Sequence, residues 1–141
     1  MIELAKQNVP EAEYKVEDMT HLKNGEYKID AVVSFYAIFH TPSETHQELL
    51  HKINSFLNQS GYLLITIGSS EWEGKEQDFH GAEMFWSHYD SRKNREMVEE
   101  AGFEIIVDAA FFMLIQIKLF SILQRYIKGI KRKMRKRALR L

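Results

Sequence analysis

The sequence predicts an α/β fold, an open and mostly parallel sheet with flanking helices. Three observations carry this expectation. Ala31-Val32-Val33-Ser34-Phe35-Tyr36 is a nearly unbroken apolar run, which is how a strand buried on both faces of a parallel sheet reads. Tyr62-Leu63-Leu64-Ile65-Thr66-Ile67 is a second such run. Helical patterns follow each run, and the alternation of strand and helix with short turns implies right-handed crossovers in one open sheet.

Taken in order, residues 1–8 are helix-like, with Ile2, Leu4 and Ala5 apolar and Pro10 just beyond the end. Residues 13–19 suggest a short strand, since Tyr14 and Val16 alternate with charged neighbours. Lys23-Asn24-Gly25 marks a turn. The first apolar run belongs to residues 29–39. Ser43 is positioned to cap a helix reaching Leu57, with Leu49, Leu50, Ile53, Phe56 and Leu57 on one face. Gly61 leads into the second run. Residues 68–89 are polar and aromatic with little periodicity, and are expected to form a long loop; loops of that size are usually functional or disordered. Asp90 or Ser91 caps a helix to Ala101, Gly102 ends it, and residues 103–107 form a third apolar strand.

Composition narrows the function classes. The 141 residues are 45% hydrophobic and 28% charged, as in a globular domain and unlike a disordered one. With no cysteine, disulfide scaffolds and thiolate zinc sites are excluded, and the expected compartment is cytoplasmic. Residues 1–10 carry Glu3 and lack an apolar stretch, so no signal peptide is expected there. The net charge of −1 is unevenly spread. Residues 1–117 carry −11 and residues 118–141 carry +10, the mark of a tail with its own partner or of foreign origin.

Four segments in order resemble class I S-adenosylmethionine-dependent methyltransferases. Glu17-Asp18-Met19 is similar to the family's acidic motif after its third strand. Asp30-Ala31-Val32-Val33-Ser34 resembles its FDxVxS fourth strand. Leu57-Asn58-Gln59-Ser60-Gly61-Tyr62-Leu63-Leu64-Ile65 resembles the LKPGGxLLI turn into the fifth strand. Val98-Glu99-Glu100-Ala101-Gly102-Phe103-Glu104 resembles the LLxEAGFE helix-to-strand junction. The resemblance covers about three-quarters of the chain, up to about residue 108. It implies an incomplete Rossmann-like methyltransferase sheet with flanking helices and a basic C-terminal helix. The family's first strand, GxGxG loop and second strand have no counterpart in the sequence, and residues 1–5 look like the helix after the second strand. The chain is therefore expected to start within the domain. On this reading residues 1–117 are the C-terminal part of a methyltransferase domain and residues 118–141 a basic amphipathic tail.

The resemblance also implies a cofactor, S-adenosylmethionine, and residues to hold it. Asp18 would accept a hydrogen bond from the adenine amino group beside the Met19 backbone, or else cap the next turn. Ser34 and Phe35 would lie beside the methionine part, beyond a strand end where ligands of open α/β sheets bind; Phe35 reads equally as core. On the acceptor side stand Tyr36, His40, Trp72, Trp86 and Tyr89. Histidine titrates near neutrality, so His40 would orient an acceptor or take its proton, or else be a loop or capping histidine. The aromatic residues of 68–89 suit a planar or apolar acceptor, or an amine held by cation–π contact; the alternative is a small satellite core. No catalytic side chain is assigned, because alignment and shielding carry most of a methyl transfer. No metal site is expected, since His46 and His51 are five apart and do not share a helix face. Gly68-Ser69-Ser70 fails the G-x-S-x-G pattern, and no phosphate loop is present.

The tail suggests further partners. Residues 111–123 are apolar but too short to span a membrane, and their first part is a candidate final strand. Beyond Leu119, Leu123, Tyr126, Ile127, Ile130 and Met134 recur at helical spacing among Lys and Arg. Such a helix lies on an anionic membrane, contacts nucleic acid, or stays solvated. A fourth strand without its family neighbour would expose an edge, from which self-association, re-pairing with the third strand, or completion by a partner is expected. Two functions remain: methyl transfer from S-adenosylmethionine to a small-molecule acceptor, weakened by the absent loop, or a non-catalytic remnant or interaction module whose tail binds membrane or nucleic acid. The acceptor atom is not fixed by the fold.

Overall fold

The computed structural model describes residues 2–108, which belong to one compact unit. Helix α1 (Ile2–Asn8) buries no residue, and its Glu3–Lys6 pair at 3.2 Å is exposed. The segment that follows is not the strand its alternation suggested. No strand lies beside it among the described residues, and Val16 is 90% exposed. Its polar groups turn to local partners. The Tyr14 hydroxyl bonds the carbonyls of Ala5 and Val9 at 2.9 and 2.8 Å, and so serves the end of α1. Asp18 caps a 3-10 turn, Met19–His21.

Strand β1 (Ile29–Ser34) is followed by 3-10 turns at Ile38–His40 and Ser43–Thr45, helix α2 (His46–Phe56) and strand β2 (Leu57–Ile65). β1 and β2 pair in parallel, with Val32 opposite Leu63 and Ser34 opposite Ile65. This is the strand–helix–strand crossover the sequence predicts. α2 starts later than expected, because the Ser43 hydroxyl donates to Glu73 at 2.6 Å instead of capping the helix. The start of β2 bulges: five of its residues pass two of β1, and Ser60 adopts a φ of 66° there.

α2 buries His46, Leu49, Leu50, Ile53 and Phe56 on one stripe. Leu49 and Ile53 join Ile38 and Phe39 in one core cluster, against Val32, Leu63 and Ile65 of the strands. Leu50 joins Met97 and Ala101 in a second. The sheet is covered on this face only. Ala31 and Val33 point the other way and are exposed, Val33 by 61%. The apolar run was read as a strand buried on both faces; among the described residues only one face has a covering layer.

Residues 68–89 are not a long loop. They hold an antiparallel hairpin of β3 (Trp72–Phe79) and β4 (Ala82–His88). His80 and Gly81 link the strands with φ of 55° and 86°, the positive pair that tight hairpin turns require, and Asp78 accepts from the Gly81 amide at 2.9 Å. The charged run Lys75-Glu76-Gln77 and the small Gly74 hide the two-residue period, which is plain once Trp72 faces His88 and Gly74 faces Trp86.

Helix α3 (Ser91–Glu100) begins as expected, with Asp90 accepting from the Lys93 amide at 2.8 Å, and ends at Gly102 with φ of 89°. Asn54 of α2 donates to the Ala101 carbonyl at 2.7 Å and ties the two helices. The strand expected at 103–107 does not form. Phe103 packs on both core clusters, while Ile106 and Val107 are exposed and have no strand beside them among the described residues. The expected final strand and the basic helix of residues 118–141 lie outside the described residues. Among the described residues no helix is long and apolar enough to cross a membrane.

The two leucines at opposite extremes of burial test this core. Leu50 is 2% exposed and Leu4 63%. Leu50→Ala is expected to cost about 2–5 kcal/mol in urea unfolding, and Leu4→Ala within about 0.5 kcal/mol of nothing.

Candidate functional site at the carboxyl end of the parallel strands

The parallel pair ends at Ser34 and Ile65, and the chain beyond each strand is tied to the other. The Thr66 amide donates to the Ser34 carbonyl at 3.0 Å, and the Thr66 hydroxyl accepts from the Tyr36 amide at 2.7 Å. Tyr36 takes a φ of 50°, an uncommon conformation for a residue of its size, and Thr66 holds it there. Phe35 and Tyr36 are exposed, so apolar surface faces solvent beyond the strand end.

The next turn carries His40 to the hairpin. Its Nδ1 donates to the Phe85 carbonyl at 2.8 Å, and its ring lies 4.5 Å from that of Trp86. The carbonyl fixes the proton on Nδ1 and leaves Nε2 with its lone pair, for which no partner exists among the described residues. Trp86 also meets Phe39 and Phe79, at 6.2 and 5.2 Å between ring centres. Its Nε1 is buried without a partner among the described residues. Trp72, Lys75, Glu76, Trp86 and His88 line an open depression of about 390 Å³ on the hairpin.

Behind this surface the hairpin is seated by buried polar bonds. The Thr41 carbonyl accepts from the Ser87 hydroxyl at 2.5 Å and from His46 Nε2 at 3.1 Å. Burial holds the His46 pKa below its ordinary value, against the opposing pull of the Thr41 and Ile38 backbone. His88 donates from Nδ1 to the Ser70 carbonyl. A side chain on Gly68 would stand 2.2 Å from the His88 ring, so glycine is what lets the ring in. Asn94, buried in α3, donates to the carbonyls of Gly68 and Tyr89 at 2.7 and 2.9 Å.

The residues singled out from sequence fall into three places. Ser34, Phe35, Tyr36, His40 and Trp86 gather around the strand end, with Trp72 further along the hairpin. Asp18 lies on the 3-10 turn. Its Oδ1 accepts from both the amide and the hydroxyl of Thr20, at 2.9 and 2.8 Å, and these bonds hold its pKa below the ordinary carboxylate value. Met19 packs against the first core cluster. Tyr89 turns inward, its ring 6.3 Å from that of His46. Thr66, Gly68, Glu76, His88 and Asn94 were not assigned a role from sequence. The alternating Trp72-x-Gly74-x-Glu76 and Met84-x-Trp86-x-His88 around a tight turn is the signal for two of them, Glu76 and His88. Among the described residues no three or more His, Asp or Glu converge as metal ligands do.

Residues 1–65 match the model of the methyltransferase domain family, a class I S-adenosylmethionine-dependent family. The matched stretch is similar to that family's domain. It takes in α1, β1, α2 and β2, and within it fall Asp18, Met19, Ser34, Phe35, Tyr36 and His40. Trp72, Trp86 and Tyr89 lie beyond the match, on the hairpin and its exit. Proteins of this family generally bind S-adenosylmethionine. No curated protein matches the chain. The matched stretch thus ends where β2 does, and the hairpin is seated beyond that strand end.

His46 gives a pH test of that seating. Its lowered folded pKa means that the unfolded chain binds the proton more tightly. The stability it contributes is present above the ordinary value of 6.5 and is lost as pH falls from there through the lowered folded value. Urea midpoints across this window are expected to decline in the wild type, and His46→Gln to remove that part of the decline.

Proposed function

We propose that the chain takes part in methyl transfer from S-adenosylmethionine to a small-molecule acceptor, in the cytoplasm. The observation that carries this reading is the family match over residues 1–65, which ends in the strand pair whose carboxyl end meets Tyr36, His40 and the hairpin aromatics. Ligands of open α/β sheets bind at such strand ends.

The chain's own residues fit part of the cofactor. The exposed Phe35 and Tyr36 offer apolar surface for its methionine arm. Asp18 is exposed, and its two bonds fall on Oδ1, so Oδ2 is available to an adenine amino group. For the ribose and the carboxylate the 141 residues contain no GxGxG loop. When bound, S-adenosylmethionine supplies an electrophilic methyl group. His40 orients an acceptor through Nε2 and takes a proton from it where the acceptor is an amine or a hydroxyl. Trp86 and the hairpin restrict water around the acceptor.

Calorimetric titration with S-adenosylhomocysteine tests this. Saturable binding weakened by the absent loop is expected, with Phe35→Ala weaker by about tenfold or more, as loss of an aromatic contact buried on binding implies, and Leu4→Ala unchanged. No heat of binding would sink the reading. Salt-sensitive binding of the tail to anionic vesicles or nucleic acid, in place of cofactor binding, would favour the remnant reading instead.

A further inference from the structure

We propose that the hairpin depression binds an organic ammonium ion. Trp72, Glu76, Trp86 and His88 share one face of the hairpin. Trp72 is opposite His88, Gly74 opposite Trp86, and Glu76 opposite Met84. Gly74 has no side chain to fill the floor, and the Trp72 ring lies beside it, 3.4 Å from where its Cβ would be. Trp72 is 57% exposed, so its ring face is accessible to a ligand.

Charge selects the ligand. Two residues lining the depression, Lys75 and Glu76, carry formal charge at neutral pH. The Lys75 ammonium is paired with Glu83 at 2.7 Å, and Glu83 also accepts from Gln77 at 3.1 Å. Among the described residues Glu76 makes no ion pair. The depression therefore combines two indole rings with one uncompensated carboxylate, and tryptophan faces attract cations most strongly among aromatic rings. An anion would meet the carboxylate and the negative ring faces; a neutral apolar molecule would leave the carboxylate unused. The face is a concave one with few polar groups, as small-molecule sites are. The inference deepens the acceptor side of the methyl-transfer reading. It rests on that reading for the ligand's role as acceptor, in which the bound ammonium first loses a proton to give the amine whose lone pair attacks the methyl group, and not for its binding.

The chain has two tryptophans, both in the depression, so intrinsic fluorescence reports on the site alone. The experiment titrates the full chain with choline and, separately, with its uncharged isostere 3,3-dimethyl-1-butanol. It is run at one mildly alkaline pH throughout, with sodium chloride matching ionic strength. Choline is expected to change the emission saturably in the millimolar range, and the isostere and the salt are not. Glu76→Gln, which alters an exposed strand residue without changing its size, is expected to weaken choline about fivefold. Trp72→Ala is expected to abolish the response of Trp86. An equal response to the isostere, or an unchanged affinity in Glu76→Gln, overturns the proposal. Choline binding in a chain that does not bind S-adenosylhomocysteine leaves this site standing and removes its role as acceptor site. Cofactor binding without choline binding overturns this site and leaves the methyl-transfer reading standing.

Discussion

The turn of residues 38–41 is the constraint on which the other elements depend. Ile38 and Phe39 are both buried in the first core cluster, and they touch the strands through Val32, Leu63 and Ile65, the helix through Leu49 and Ile53, and the hairpin through Trp86. The two residues that follow are polar, and each makes a bond to the hairpin. His40 donates to Phe85, and the Thr41 carbonyl accepts from Ser87. The same carbonyl accepts from His46 at the start of α2. Four consecutive residues therefore supply apolar burial and hydrogen bonds to strand, helix and hairpin at once. Burial is the larger stabilising term; the bonds set where the hairpin sits, since an unsatisfied buried carbonyl or hydroxyl is costly to leave.

This seating determines the chemistry available. A parallel strand that ends in an exposed apolar pair gives a ligand somewhere to lie. The hairpin, fixed on the turn that follows, brings the Trp86 ring against Phe39 and His40. His40 belongs to both parts: it follows the strand end, and its Nδ1 is committed to the hairpin backbone at Phe85. The family match stops at residue 65, so the hairpin lies outside the stretch that resembles a methyltransferase domain.

Much of the central framework was legible in the sequence. The apolar runs around Val32 and Leu64, the stripe of α2 and the caps at Asp90 and Gly102 are local signals, and each corresponds to an observed element. The failures share one cause. Residues 13–19 carry strand-like alternation and residues 103–107 a short apolar run, but a strand also needs a neighbour to receive its backbone bonds, and among the described residues neither has one. The sequence pattern records a side chain's preference and not the presence of a partner. The hairpin failed in the other direction. Lys75-Glu76-Gln77 reads as a solvated loop, and it is a strand because β4 pairs with it. At the site, the cluster around Tyr36 and His40 was readable from its position after a strand. Thr66, Gly68 and Asn94 were not, because what they do is hold the backbone of distant residues, and no local pattern encodes that.

Amide hydrogen exchange of the native chain under increasing urea tests the central claim most directly, that the turn fastens hairpin and strand pair into one cooperative unit. The account predicts that amides of β3 and β4 converge on the same opening free energy and the same urea slope as those of β1 and β2. A hairpin whose amides open separately, at lower free energy and with a smaller slope, would contradict it.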